Sequence, residues 1–317
     1  MEFRPNVLAV LKQLAAPQIA ALGEEQVYRR MQGHLRHMKD QWAACRPVDY
    51  SDELCRLAFL CSHVPVNADA RAWGMERFCY PITHFMARKL RENGVLRVWA
   101  LGGGPGSELF AVCRQLIRAK NELPEIVAGG APPRVEFTAY DLERGWQPVF
   151  DQMALQMNTI LANDAADVRF RLAPAPRLLL RPEGPLLPGE PPDLYLMSYV
   201  LSENEKRLPD CIAPTVQVAP KDAVFVMTDF VDPEFKIFKF GQALLGHIGL
   251  TVRYPRPEQG AFDTFYEFNL PMRENVQGMG PFCAGIEACN DWNLRRNSDV
   301  FWLAAVKEFP HPDFPGD

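Results

Sequence analysis

The chain predicts an α/β protein: a seven-stranded, mostly parallel sheet with helices on both faces, preceded by an N-terminal helical domain. Three observations carry this. From Val95 onward, strand-like and helix-like apolar patterns alternate, the order of a parallel sheet with covered faces. A glycine-rich turn, Gly102 to Gly106, joins the first strand of that alternation to its first helix. Residues 1–94, by contrast, contain no strand under the periodicity test.

In that first part, Val7, Leu8, Leu11 and Leu14 share one helical face, and Val27, Met31, Leu35 and Met38 another. Leu54, Leu57, Ala58 and Cys61 continue the pattern, and Phe78 to Leu90 supplies a helix running into the first strand. Strands are then expected at 95–101, 135–141, 168–172, 193–200, 223–230, 250–254 and 300–308. Helices are expected at 107–120, 146–162, 204–216 and 233–247. The domain reading is 1–94 helical and 95–317 sheet-bearing. The second part carries a Pro/Gly-rich insertion near 123–134, a proline-dense surface loop over 173–193 and an aromatic-bearing excursion over 255–297. An excursion of that length and aromatic content reads as a substrate-side cover or as extra packing on the sheet edge.

The chemistry concentrates in VLRVWALGGGPGSEL, Val95 to Leu109. Gly102, Gly103, Gly104 and Gly106 turn around Pro105, and Ser107 opens the helix with N-cap chemistry. Such a turn brings bare backbone N–H groups close to a nucleotide-like ligand. The dinucleotide fingerprint G-x-G-x-x-G fits poorly, because its third glycine would fall at Ser107. The spacing Gly102-x-Gly104-x-Gly106 instead resembles motif I of the class I S-adenosylmethionine (SAM) methyltransferases, acidic-x-G-x-G-x-G. That resemblance implies SAM as cofactor and the family's seven-stranded fold, with a final strand, Val300 to Glu308, inserted antiparallel. It also puts the family's leading acid, which helps hold the methionine end of SAM, at Ala100, so that contact must come from elsewhere. Glu108 is one substitute; a carboxylate there also stabilises a helix N-terminus.

The next strand, RVEFTAYD, ends on Asp141. In the resembled family an acid here accepts from both ribose hydroxyls of SAM, a role suited to a group that offers only acceptors. Leu142, the next residue, joins the cofactor set by position. The gap from Gly106 to Asp141 exceeds the usual ~20 residues, and the 123–134 insertion accounts for the surplus. The alternative for Asp141 is a cap on the helix near Trp146.

PDLYLMSYVLSENEK, Pro192 to Lys206, brings Ser198, Tyr199, Ser202, Glu203 and Asn204 to the end of the fourth strand. The resemblance places this edge beside the transferred methyl group, where Ser198 and Tyr199 line the site and Glu203 acts as base or orients an amine. Ser202 and Asn204 are simplest as helix caps. Neither an Asn-Pro-Pro-Tyr signature of amino-group methyltransferases nor a Pro-Cys nucleophile of cytosine C5 enzymes is present. Asp229, ending the fifth strand, faces the site or starts the next loop.

Composition bounds the partners. The 317 residues are 48% hydrophobic, and no apolar stretch reaches the ~20 residues of a membrane span. The eight cysteines are scattered without a C-x-x-C pair, which fits a reducing, cytoplasmic compartment; Cys283 and Cys289 lack companions for a metal site. Net charge is −5, but residues 1–97 hold 14 Lys/Arg against 10 Asp/Glu, and the rest 20 against 29. Arg29, Arg30, Arg36 and Lys39, with His34 and His37 among them, form a basic helical segment suited to RNA or to a plain solvated face. GGGPGSEL followed by LMSYVLSE is also similar to segments of fungal large-subunit rRNA uridine methyltransferases. The sequence therefore predicts a SAM-dependent methyltransferase leaning towards an RNA acceptor. The alternatives are a small-molecule enzyme with the N-terminal helices as a lid, and a non-catalytic SAM-binding protein.

Overall fold

The computed structural model describes residues 4–44, 46–77, 79–122, 134–162, 167–174, 190–200, 208–230, 234, 236–254, 265–267, 299–308 and 311–313. Five helices come first: α1 (Arg4–Leu22), α2 (Glu24–Ala43), α3 (Glu53–Ser62), α4 (Val64–Arg77) and α5 (Cys79–Asn93). The alternating part follows as β1 (Val95–Leu101), α6 (Ser107–Glu122), β2 (Arg134–Asp141), a 3₁₀ turn over Arg144–Trp146 and α7 (Gln147–Ala162). Then come β3 (Asp167–Pro174), β4 (Leu194–Ser198), α8 (Leu208–Val218), β5 (Val224–Phe230), α9 (Lys236–His247), β6 (Thr251–Tyr254), β7 (Phe265–Glu267) and β8 (Asp299–Val306).

Strand order across the sheet is β3-β2-β1-β4-β5-β8-β6, with the short β7 paired beside β8. β1 to β5 pair in parallel, and β8 inserts antiparallel between β5 and β6. This is the seven-stranded, mostly parallel order expected of the class I methyltransferase fold, single reversed strand included. The three-residue β7 was not anticipated. It lies in the aromatic excursion and pairs Phe265 with Phe301.

Period-two alternation divides the core between the two faces. Leu96, Val98, Leu194, Leu196, Val224, Val226, Val300 and Trp302 point into one cluster, shared with Phe110 of α6 and Phe150 of α7. Trp99, Tyr195, Met197, Phe225, Met227 and Phe301 point into the other, under Ile212 of α8 and Leu245 of α9. The N-terminal helices join the first cluster through residues such as Val7, Met31, Leu60 and Phe85, so they cover that face continuously with α6 and α7.

At the amino edge of the sheet, Lys89 of α5 is buried between two aspartates. Its Nζ lies 3.0 Å from Asp193 and 2.8 Å from Asp222, the residues leading into β4 and β5. The ligand-binding edge is the opposite one, where a fixed helix-to-sheet anchor leaves the strand ends free to present side chains.

Candidate functional site

In an open α/β sheet, ligands sit beyond the carboxyl ends of the strands, where the strand order reverses. Here that point lies between β1 and β4, the neighbours on either side of the switch. A cavity of about 580 Å³ opens there. The glycine turn, Asp141 to Glu143, Ser198 to Val200, the loop Pro47 to Tyr50, and Asn67 and Arg71 of α4 line it.

The turn takes its shape from glycine. Gly102, Gly104 and Gly106 have φ of 72°, 40° and 86°, in the left-handed region that side chains disfavour. At Gly103 the constraint is packing, because a Cβ would come within 2.8 Å of the Ala139 Cβ. The turn is tied to the neighbouring strand, since the N–H groups of Gly102 and Gly103 donate to the Tyr140 carbonyl at 2.8 and 3.2 Å. Gly102, Gly103 and Gly104 reach the cavity wall, while Gly106 sits behind it against Leu109 and Phe150.

Asp141 ends β2 as expected and lines the cavity. Its Oδ2 accepts from the Gly104 N–H and its Oδ1 from the Glu143 N–H, both at 2.8 Å. One carboxylate thus fixes the glycine turn beside it, in addition to any role toward a ribose. Burial pushes the carboxyl up to about 6, against the downward pull of those two donors. Leu142 follows, 55% exposed, an apolar side chain at the wall with little protein around it.

Ser198 and Tyr199 also line the cavity, from the β4 side. Tyr199 has φ of 57°, the single non-glycine residue in the left-handed region among the described residues. Its N–H donates to the Thr228 carbonyl at 2.8 Å, which holds the strained turn in place. Glu203, with Ser202 and Asn204, lies outside the described residues, as do Cys283 and Cys289. Asp229 is fully buried within β5 and does not line the cavity.

Glu108 stands apart from its expected place. It is 2% exposed, is absent from the cavity wall, and its Oε1 is 3.2 Å from Arg71 Nη2. Arg71 also donates to Ser107 Oγ, and its Cζ lies 5.2 Å from the Tyr199 ring centroid. The substitute for the missing acid at Ala100 is therefore already engaged with a buried cation. Helix α4, which the apolar periodicity of residues 1–94 does not reveal, brings Asn67 and Arg71 to the cavity. An aromatic cluster closes the side near α3: Tyr50 and Phe59 pack on Trp146 with centroids 5.2 and 5.7 Å away.

Among the described residues, no group of three or more His, Cys, Asp or Glu could hold a metal ion. No helix among them is long and apolar enough to cross a membrane.

No family model matches the chain, and no curated protein matches it. Solved structures do. The cyclase SpnF matches with 12% identity over 71% of this chain and 80% of its own, at a TM-score of 0.38. A SAM-dependent methyltransferase from Methanosarcina mazei matches with 12% identity over 72% and 97%, at 0.37. The plantazolicin methyltransferase BamL, in complex with a desmethylPZN analogue and SAH, matches with 8% identity over 90% and 100%, at 0.36. At this level of likeness the class rests on the strand order, and the site on its own residues.

Proposed function

We propose that the chain is a SAM-dependent methyltransferase that holds its cofactor in the cavity at the β1/β4 switch. One observation carries the reading: a glycine turn with three left-handed residues is hydrogen-bonded to a strand-ending carboxylate, and the two together line that cavity. The cradle fits a nucleoside ligand, because Gly104, Asp141, Leu142 and Trp146 share the wall of a cavity of about 580 Å³, and a Cβ on Gly104 would stand against Asp141 and Trp146 at 3.5 and 3.6 Å. The cofactor supplies an electrophilic methyl carbon on a sulfonium.

The chain's own residues do the rest. Asp141 retains free lone pairs after its two backbone bonds and accepts from the ribose hydroxyls. Leu142 lies against an apolar part of the nucleoside. Ser198 and Tyr199 form the acceptor side, where in-line displacement needs alignment more than acid–base help. Glu203 remains the proposed base, or the group that orients an amine. Tyr50, Phe59 and Trp146 limit the entry of water.

Calorimetric titration with S-adenosylhomocysteine between pH 5 and 8 tests this. Ribose hydroxyls donate more strongly to the ionised Asp141, which offers both oxygens as acceptors, and burial pushes this carboxyl up to about 6. Affinity therefore rises with pH up to about 6 and then levels off, with proton release on binding below that value. Asp141→Asn removes the slope and weakens binding by roughly 1.5–3 kcal/mol. Absence of binding at pH 7.5 removes the cofactor assignment.

For the acceptor, RNA is the reading that the sequence suggests, and one observation favours it. Arg29, Arg30, Arg36 and Lys39 are all exposed on α2, and α2 runs into the loop 47–50 at the cavity wall. RNA retention on filters should then fall linearly on a log–log salt plot, by about 0.7 in slope per phosphate contacted on a single strand. Changing all four to Glu should eliminate retention and leave S-adenosylhomocysteine affinity unchanged. If the wild-type protein retains no RNA at low salt, the acceptor is a small molecule and the N-terminal helices are its lid.

A further inference from the structure

Two side chains that line the cavity each carry a buried polar atom that the nucleoside half of the ligand leaves unexplained. Asn67 is 3% exposed and Arg71 5% exposed, both line the cavity, and they stand four residues apart on one face of α4. Asn67 Oδ1 and Arg71 Nε have no hydrogen-bond partner among the described residues. A buried acceptor or donor without a partner costs about 1–3 kcal/mol, so native structures rarely keep one without a purpose. One is an acceptor and the other a donor on a cation.

The amino-acid end of SAM presents the complementary pair, an ammonium that needs an acceptor and a carboxylate that needs a donor. The β1 end cannot meet that need, because Ala100 offers only a buried methyl group. Glu108 cannot meet it either, because Arg71 holds its carboxylate. We propose that α4 reads the amino-acid end of the cofactor. Asn67 Oδ1 accepts from the ammonium, and Arg71 Nε donates to the carboxylate.

Charge balance favours the arrangement. Arg71 and Glu108 together are neutral, and the amino-acid end is a neutral zwitterion, so binding leaves no uncompensated charge in the site. The Arg71 guanidinium is also positioned in advance, by Ser107, Glu108 and the Tyr199 ring. The Nε donor is therefore fixed before the ligand arrives, which lowers the ordering cost of binding. Both residues serve binding and selectivity; neither is asked to take part in methyl transfer.

The inference rests on the cofactor reading, and a pair of ligands separates the two. S-adenosylhomocysteine has the amino-acid end; 5′-methylthioadenosine keeps the adenosine and thioether but lacks it. Each is titrated into the wild-type protein, Asn67→Leu and Arg71→Lys, the last keeping a cation for Glu108. Urea unfolding of each variant confirms that it is folded. The wild-type protein should bind S-adenosylhomocysteine more tightly than methylthioadenosine. Each variant should lose roughly tenfold or more for the former, as for a hydrogen bond to a charged group, with methylthioadenosine affinity unchanged. Variants that keep S-adenosylhomocysteine affinity within twofold overturn the inference. So does an equal loss for both ligands, which would place the effect on the adenosine end or the fold. If the wild-type protein binds neither ligand, the cofactor reading falls, and the α4 assignment with it.

Discussion

Gly104→Val is expected to abolish S-adenosylhomocysteine binding while leaving the circular dichroism spectrum close to wild type. Two effects combine at this position. The backbone has φ of 40°, a left-handed conformation that costs a residue with a Cβ roughly 1–2 kcal/mol and a β-branched one more. The added carbons also occupy the cavity, because the new Cβ points at Asp141 Oδ2 and Trp146 Nε1 at 3.5 and 3.6 Å. Gly104 and Asp141 are bonded neighbours on one wall of the cavity, so valine would add bulk to the surface that the ligand must meet. The Gly104 N–H bond to Asp141 is lost as well if the turn shifts, which frees the carboxylate from its position. Gly246 supplies the control: it lies in α9, its φ is not positive and nothing stands within 4 Å of a built Cβ. Gly246→Ala should keep both fold and affinity. Retained affinity in Gly104→Val would end the assignment of the turn to the cofactor.

The same geometry shows what the sequence could and could not reveal. Strands buried on both faces read as near-continuous apolar runs, as in β1, β4, β5 and β8, while β2 showed the alternation of Val135, Phe137 and Ala139 with polar neighbours, so all five were visible to within a residue or two at most bounds. The glycine turn and Asp141 were visible because backbone conformation and acceptor chemistry each demand a narrow residue type. Helix α4 was not, and the reason is physical. Its buried stripe is Val64, Asn67, Ala68, Arg71, Ala72 and Met75, correct in helical spacing but interrupted by an amide and a guanidinium. A test that counts apolar residues rejects a stripe whose polar members are its function. The usable signal was the pattern itself: two polar residues four apart within a row of small and apolar ones. β7 was missed for a simpler reason, because three residues are too few to show a period of two. The second task of Asp141 depends on a contact between residues 37 positions apart in the chain, which spacing alone does not encode.

Glu108→Ala should destabilise the protein strongly, by about 3–5 kcal/mol in urea unfolding, a result that separates a structural carboxylate from a cofactor ligand. The Glu108 and Arg71 side chains are 2% and 6% exposed and lie 3.2 Å apart. Removing the carboxylate leaves a guanidinium buried without its counter-charge, which is the costly outcome for such a pair. An exposed pair such as Arg29–Glu25, with side chains 70% and 77% exposed, should by comparison lose less than ~1 kcal/mol in Glu25→Ala. Removing both partners is a different matter. Glu108→Leu combined with Arg71→Met replaces the ions with apolar groups of similar length, and should recover most of the stability lost in the single variant. The double variant should still bind S-adenosylhomocysteine poorly, because the Arg71 donor is gone although the fold is intact. A loss below ~1 kcal/mol for Glu108→Ala would show that water already compensates the pair, and that Arg71 is free to move. Full recovery of binding in the double variant would show instead that α4 contributes packing alone, with the amino-acid end of the cofactor held by another part of the cavity.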